Sequence, residues 1–309
     1  MNLKAATASF ITQESLSSNE TLFPASAFYI SMDPVKDYLT INKASWNNTV
    51  RFHLESDFYD VAGFIKGASS LNDIELNLLG NIAGKRILHL QCHFGQDSIS
   101  LARMGAQVTG IDLSDKAIEA ANDLAAKTHT NVRFICCDLY DLPNQLNETF
   151  DIVFTSYGTI GWLPDLNRWA AVVSTFLKPG GRFVFAEFHP VVWMFDDDFN
   201  KVGYSYFNAG PICETDSGTY ADRNADLHEE YVMWNHGTAE VLSSLLQNGL
   251  ELTAFEEFDY SPYNCFRHTT EIAPKKYRIQ HLENKIPMVF ALTAVKRPPG
   301  EFKIFSREY

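Results

Sequence analysis

The stretch that decides the fold is RILHLQCHFGQ at residues 86–96, followed by VTGID at residues 108–112. It combines an apolar strand, a loop that ends in glycine, a helix, and a second apolar strand that is closed by an acid. This order is typical of one half of a nucleotide-binding βαβ unit. It predicts a ligand that carries an adenosine-like ribose.

Strand and helix patterns alternate from this stretch onward, which predicts an α/β fold with a doubly wound, mostly parallel sheet of seven strands. The predicted strands are 86–90, 107–111, 132–136, 151–154, 182–186, 250–258 and 288–295, and the predicted helices are 96–104, 115–127, 166–177 and 238–248. We interpret residues 1–31 as a tail or peripheral segment and residues 32–81 as an N-terminal helical cap. Residues 82–309 are then the main domain, with a β-rich insertion at about 188–236.

Bulk composition limits the class of protein and of partner. A chain of 309 residues with 46% hydrophobic content can bury a sizeable core. Its net charge of -13 repels polyanions, so we expect no nucleic acid and no membrane surface as partner. Formation of a homodimer is compatible with these numbers. Five cysteines without a C-x-x-C pair are typical of reduced thiols, and no segment resembles a bilayer span or a secretory signal. We therefore expect a cytoplasmic protein.

The loop after the first strand narrows the choice of ligand. A dinucleotide needs the glycines of G-x-G-x-x-G so that backbone amides can approach its pyrophosphate. Here Gln91, His93 and Gln96 occupy the corresponding positions, and only Gly95 remains. These side chains would obstruct a pyrophosphate, which argues against NAD and FAD. An adenosine ligand without phosphates is still compatible with the loop.

From Gly84 to Lys296 the chain resembles the class I S-adenosylmethionine-dependent methyltransferases, in particular a bacterial, small-molecule-type subgroup with this first motif. The residues that carry the resemblance are the strand and loop from Ile87 to Gly95, Asp112, Asp138 with Leu139, and the turn Leu177-Lys178-Pro179-Gly180-Gly181. The resemblance implies S-adenosylmethionine as the cofactor and makes residues 82–309 the methyltransferase domain. It places Asp112 on the ribose hydroxyls and Asp138 with Leu139 on the adenine edge.

The cofactor-binding residues predicted in this way are Gln91, Cys92, His93, Gly95, Asp112, Leu113, Asp138, Leu139 and Ser156. The loop departs from the family pattern because His89, Gln91 and His93 replace the usual acid and two of three glycines. Backbone amides can still meet a carboxylate there, since the turn does not depend on residue type. Packing is the simpler reading of Cys92, and Asp138 alone could equally be a turn residue.

The acceptor is expected beyond the ends of strands four and five, near residues 155–158 and 187–189. The motif of enzymes that methylate amino groups of nucleobases or amides is absent after strand four. Together with the acidic net charge, this favours a small, largely uncharged or cationic acceptor, which we expect to be methylated on oxygen or nitrogen. A base is needed only if the acceptor must lose a proton. His189 is the first candidate, with Tyr157 or Glu187 to orient it. Alternatively, His189 forms a turn before Pro190; His236 is a weaker candidate base.

Aromatic residues outside the predicted strands indicate a pocket for the acceptor. The predicted lining consists of Trp46, Tyr59, Trp162, Glu187, Trp193 and Trp234. No metal site is expected, because the adjacent carboxylates of Asp196, Asp197 and Asp198 are typical of a solvated loop.

Two other functions stay open at this point. A nicotinamide-dependent oxidoreductase would also need an acid at the end of strand two, although the loop disfavours it. A non-catalytic S-adenosylmethionine-binding protein would keep Asp112 and Asp138, because methyl transfer requires no diagnostic catalytic residue.

Overall fold

The computed structural model describes residues 34–298; the predicted tail at 1–31 lies outside them. Seven strands form the main sheet in the order β3-β2-β1-β4-β5-β11-β8. Their bounds are β1 (Arg86–His89), β2 (Gln107–Asp112), β3 (Arg133–Cys136), β4 (Phe150–Ser156), β5 (Leu177–Phe188), β8 (Leu250–Phe258) and β11 (Val289–Lys296). β1 to β5 pair in parallel, and β11 is antiparallel to both neighbours. The predicted mostly parallel, seven-stranded sheet is confirmed.

Helices cover both faces of this sheet. Their bounds are α1 (Pro34–Glu55), α2 (Val61–Ile65), α3 (Asp73–Leu79), α4 (Gln96–Arg103), α5 (Asp115–Lys127), α6 (Leu142–Gln145), α7 (Leu166–Phe176) and α8 (Thr238–Gln247). α3 and α4 bury apolar side chains on one face, while α7 and α8 bury theirs on the other. The strand order reverses between β1 and β4, which is where ligands bind in doubly wound sheets.

Within residues 34–298, two hairpins lie outside the main sheet. The first, β6 (Ile212–Ser217) and β7 (His228–Met233), falls within the predicted β-rich insertion. The second, β9 (Thr269–Ala273) and β10 (Lys276–Ile279), was not predicted. Most of its residues are exposed or half-buried and polar, so they lack the apolar alternation that indicates a strand.

The fifth strand begins earlier than predicted. The Lys178-Pro179-Gly180-Gly181 turn was expected to precede the strand, but β5 already starts at Leu177. Phe150 of β4 pairs with Leu177, whereas Ile152 pairs with Arg182, so the turn forms a bulge within the ladder. A bulge keeps the strand continuous while it accommodates extra residues.

The first helix, which we call the cap helix (α1), covers the carboxyl ends of β1 and β2. The Asn42 side chain exchanges two hydrogen bonds with the backbone of Val232 in β7, at 2.8 and 2.9 Å. Asn47 accepts a hydrogen bond from Ser114 (2.6 Å) and donates one to Asp115 (3.1 Å) at the start of α5. The cap helix is therefore fixed both to the insertion and to the loop after β2.

A buried carboxylate connects α3 to the end of β4. Glu75 is fully buried; its Oε1 accepts the backbone N–H of Asn72 (2.6 Å), and its Oε2 accepts the hydroxyl of Tyr157 (2.8 Å). Burial, followed by the negative charge of Asp97, raises the pKa of Glu75 to about 7. The folded protein thus holds a proton that the unfolded chain releases near pH 4.5.

We predict that Glu75→Gln removes part of the pH dependence of stability. The raised pKa makes the wild type lose stability as pH rises from about 4.5 to about 7, by on the order of 3 kcal/mol from this group. Glutamine keeps the volume and can donate to Tyr157, but it does not titrate. Urea unfolding at pH 5 and pH 8 should show the variant gaining on the wild type at pH 8. An equal difference at both pH values, or the same gain for the exposed Glu283→Gln, would contradict the assignment.

Candidate functional site

The loop between β1 and α4, residues 91–95, which we call the cofactor loop, has an unusual backbone. Gln91 and His93 have φ values of 52° and 51°, and Gly95 has 80°. Left-handed φ is natural for glycine but costs other residues on the order of 1 kcal/mol or more. The cofactor loop therefore keeps the turn of a glycine-rich motif although large side chains stand at two of its positions.

Asp112, at the end of β2, holds this loop in place. Its Oδ2 accepts the backbone N–H of His93 (2.7 Å), and its Oδ1 accepts that of Ser114 (2.9 Å). Burial raises the pKa of Asp112 to about 6, while these N–H donors oppose the rise. Each carboxylate oxygen retains a further lone pair for a ligand hydroxyl.

Cys92 and Gln91 differ in what they offer a ligand. Cys92 is buried, and burial raises the pKa of its thiol well above the usual range, which suits packing better than nucleophilic attack. The Gln91 side chain donates to the carbonyl oxygen of Thr159 (2.8 Å). Its Oε1 is buried and has no hydrogen-bond partner within residues 34–298. An unsatisfied buried acceptor of this kind is costly unless a ligand or water supplies a donor.

Three further predicted cofactor residues follow the ends of β2 and β3. Asp138 is half-buried, and its Oδ1 accepts the backbone N–H of Tyr140 (3.2 Å) at the start of a short 3-10 turn. Leu139 is buried in the core, and Leu113 is half-buried beside Asp112. Because Asp112 pairs directly with Cys136, the ends of β2 and β3 adjoin each other. Asp138 therefore lies on the same edge of the sheet as Asp112.

Two acidic side chains accept hydrogen bonds from residues at the end of β4. The hydroxyl of Ser156 donates to Oδ2 of Asp97 (3.0 Å), which lies in the first turn of α4. The next residue, Tyr157, has a φ of 37° and donates its hydroxyl to Glu75. The Tyr157 hydroxyl is therefore held by a buried carboxylate that lies far away in the sequence.

Glu187, which was predicted to line the acceptor pocket, instead binds the loop after β4. It is 1% exposed. Its carboxylate accepts hydrogen bonds from the loop after β4: the backbone N–H groups of Gly158, Thr159 (2.7 Å) and Ile160 (3.2 Å), and the Thr159 hydroxyl (2.8 Å). Burial raises its pKa, and these donors oppose the rise. The carboxylate is saturated, so it fixes this loop and leaves little for an acceptor.

The two candidate bases also have fixed partners. In His189, Nε2 lies 2.8 Å from Oε1 of Glu257 and Nδ1 accepts the backbone N–H of Val191 (3.2 Å). In His236, Nδ1 lies 3.0 Å from Glu240 and Nε2 lies 2.8 Å from the Leu163 carbonyl oxygen. Both side chains are buried. These contacts favour the alternative reading of His189 as a turn residue, and they give His236 a similar structural place.

Three of the predicted pocket aromatics lie around His93. The Trp46 ring is 5.2 Å from the rings of both His93 and Trp162, and the Tyr59 ring is 5.8 Å from that of His93. All four side chains are half-buried. The other two do not join this group directly.

Trp193 and Trp234 pack elsewhere. Trp193 packs against Phe188 and Phe266 beside the α3 face of the sheet. Trp234 is buried, with its ring 5.3 Å from that of Tyr38. Neither ring contacts His93.

Sequence reasoning missed several residues that border the cofactor loop. His53 of the cap helix lies with Nδ1 2.9 Å from Nε2 of His93. The Tyr220 hydroxyl, from the loop of the first hairpin, hydrogen-bonds that of Tyr59. Asp97 could have been noticed two residues after Gly95, but no local pattern distinguishes His53 or Tyr220.

No helix within residues 34–298 combines the length and the apolar character needed to cross a bilayer. In the same part of the chain, no three His, Cys, Asp or Glu side chains group in a way that could hold a metal ion. In the acidic loop, Asp197 and Asp198 instead pair with Arg267 on the surface.

Comparison with known sequences identifies a domain within the chain. Residues 87–181 match the family model described as a methyltransferase domain. A ubiquinone biosynthesis O-methyltransferase of Coxiella burnetii is 30% identical over 136 residues, which are 43% of this chain and 57% of that protein. Its counterpart in Bordetella avium is 25% identical over 213 residues, 68% of this chain and 81% of that protein. The chain thus spans little more than half of the Coxiella relative.

Comparison with solved structures supports the same fold. A putative S-adenosylmethionine-dependent methyltransferase from Listeria monocytogenes has a TM-score of 0.51 and 20% identity, covering 72% of this chain and 95% of that one. Geranyl diphosphate C-methyltransferase from Streptomyces coelicolor, solved with S-adenosyl-L-homocysteine, has a TM-score of 0.53 and 16% identity, covering 85% and 99%. The predicted recognition is confirmed: residues 87–181 match a methyltransferase domain, and the sheet has the fold of the class I, S-adenosylmethionine-dependent methyltransferases.

Proposed function

We propose that the protein transfers a methyl group from S-adenosylmethionine to a hydroxyl group of a small molecule. The observation that carries this proposal is the left-handed cofactor loop, bound to Asp112 at the reversal point of a class I sheet. The names of the two curated relatives, both O-methyltransferases, favour oxygen as the methylated atom.

The residues of the site fit the parts of S-adenosylmethionine. Asp112 would accept the ribose hydroxyls with its remaining lone pairs, and Asp138 lies on the same edge for the adenine. The unpartnered Oε1 of Gln91 would accept a hydrogen bond from the ammonium group at the methionine end. When bound, the cofactor supplies a methyl group on a positively charged sulfur.

The acceptor would lie under the cap helix, against the half-buried rings of Trp46, Tyr59 and Trp162. Such rings bind a flat, apolar molecule and exclude water from the reacting atoms. In-line displacement gains most from alignment and desolvation, so the surrounding rings can contribute much of the rate. His189 and Glu187 then serve to hold the loops at the ends of β4 and β5.

Turnover provides the direct test of the proposal. The purified protein is incubated with S-adenosylmethionine labelled in the methyl group and with a panel of small phenols, alcohols and amines. We expect label to appear on hydroxyl compounds, with S-adenosylhomocysteine as the second product. Label on amines alone would contradict O-methylation. Calorimetry showing NAD binding without S-adenosylhomocysteine binding would contradict the function as a whole.

We predict that Asp112→Ala weakens S-adenosylhomocysteine binding by roughly 1 to 3 kcal/mol, because ribose hydrogen bonds and the anchor of the cofactor loop are lost together. Isothermal titration calorimetry on folded protein measures the change. The control is Asp123→Ala, an exposed acid on α5, which should bind as the wild type does. Unchanged affinity in a folded Asp112→Ala protein would refute the role of this carboxylate.

We predict that Gln91→Leu weakens S-adenosylhomocysteine binding by roughly tenfold to a hundredfold, since a hydrogen bond to a charged group contributes roughly 1.5 to 3 kcal/mol. Leucine keeps the approximate size of the side chain and removes the Oε1 acceptor. Its affinity for 5′-methylthioadenosine, which lacks the ammonium group of the methionine end, should match that of the wild type. If both ligands lose affinity equally, Gln91 shapes the loop and does not bind the ammonium group.

A further inference from the structure

An unpartnered nitrogen of the cap helix lies next to the cofactor loop. His53 is completely buried, and its Nδ1 is 2.9 Å from Nε2 of His93. Its other ring nitrogen, Nε2, is also buried and has no hydrogen-bond partner among the residues that the structure describes. A buried ring nitrogen without a partner is destabilising, so the fold retains it at a cost.

The proton between the two rings determines what His53 can offer. Burial lowers the pKa of His53 to about 3 and that of His93 well below its usual value, so both rings are neutral at pH 7. If His93 donated, His53 would carry a buried N–H without an acceptor, which is rarer in proteins than a buried acceptor without a donor. The favoured arrangement has Nδ1–H of His53 donating to His93. Nε2 of His53 then presents a free lone pair.

The surroundings of this lone pair are aromatic. The His53 ring lies 5.2 Å from that of Tyr59, 4.8 Å from that of Tyr220 and 6.1 Å from that of Trp46. The hydroxyls of Tyr59 and Tyr220 bind each other, and so do not pair with His53. Tyr59 and Trp46 are half-buried, and Tyr220 is 40% exposed, so these rings are still partly accessible. A planar aromatic ring with a hydroxyl group is complementary to such walls and such an acceptor.

We infer that Nε2 of His53 binds the hydroxyl group of the methyl acceptor and takes its proton, with His93 as the positioning residue. The inference rests on the proposed function. As the oxygen–methyl bond forms, the methyl–sulfur bond breaks with its electron pair left on sulfur, and the hydroxyl proton passes to Nε2. The site keeps the same total charge, because a positive charge appears on the imidazole as one disappears from sulfur. Protonation of this buried ring is therefore compatible with its surroundings during transfer.

Binding of 4-nitrocatechol tests the inference without turnover, because its absorption reports whether a hydroxyl is ionised. The protein is first saturated with sinefungin, a cofactor analogue in which a positively charged amino group replaces the methyl sulfonium, and its affinity is measured on the same samples. At a pH at which free 4-nitrocatechol is protonated, we expect it to bind the wild type with the absorption of the ionised form. His53→Phe keeps the ring packing and removes the lone pair, so we expect about tenfold weaker binding and loss of that absorption.

A matched probe and two matched variants complete the design. 4-Nitroanisole has no hydroxyl, so wild type and His53→Phe should bind it equally. His53→Gln restores an acceptor atom and should regain affinity without the ionised absorption. The exposed His129→Asn, at a φ of 53° that asparagine tolerates, should behave as the wild type.

The outcomes separate the inference from the proposed function. Equal binding of 4-nitrocatechol to wild type and His53→Phe, or equal losses for both probes, would overturn the role of His53. Failure of 4-nitrocatechol to bind a protein that does bind sinefungin would overturn it as well. A wild type that binds neither sinefungin nor S-adenosylhomocysteine would instead refute the proposed function.

Discussion

The hydrogen bond from the backbone of His93 to Asp112 is the contact on which the site depends. The turn between β1 and α4 needs positive φ at three positions, and two of them carry side chains that resist it. The half-buried carboxylate of Asp112 offsets this cost by accepting hydrogen bonds from the backbone N–H groups of His93 and Ser114. A single acid thereby fixes the cofactor loop and stands ready for a ligand.

Side chains in place of glycines give the loop functions that glycine could not have. Gln91 reaches across to Thr159 in the loop after β4, and His93 reaches up to His53 in the cap helix. The cap helix is itself tied to the hairpin through Asn42 and to α5 through Asn47. Cofactor loop, cap and insertion are consequently one connected structure. A change in the backbone of the cofactor loop would therefore shift the residues that line the proposed acceptor pocket.

The sequence predicted those features of the fold and of the site that depend on residues close together in the chain. The sheet follows from the order of apolar strands and helices, and Asp112 and Asp138 are located by their positions just after strands. Prediction was poorer where a residue's partner lies far along the chain. Glu187 bonds a loop about 28 residues before it, His189 meets Glu257, and His53 meets His93. No spacing rule indicates such contacts, so candidate acids and bases cannot be separated from structural ones by sequence position alone.

The charges of the site suit a cation better than an anion. Burial raises the pKa of Asp112 to about 6 and that of Glu75 to about 7, because water that would stabilise their charge is excluded. His53 and His93 are neutral and add no positive charge to the site. A positively charged ligand would stabilise these carboxylates in their ionised form. Under the proposed function, transfer of the methyl group moves that charge from the ligand to His53. Once the proton has left His53, the neutral sulfur of the product stabilises the ionised carboxylates less than the cofactor does.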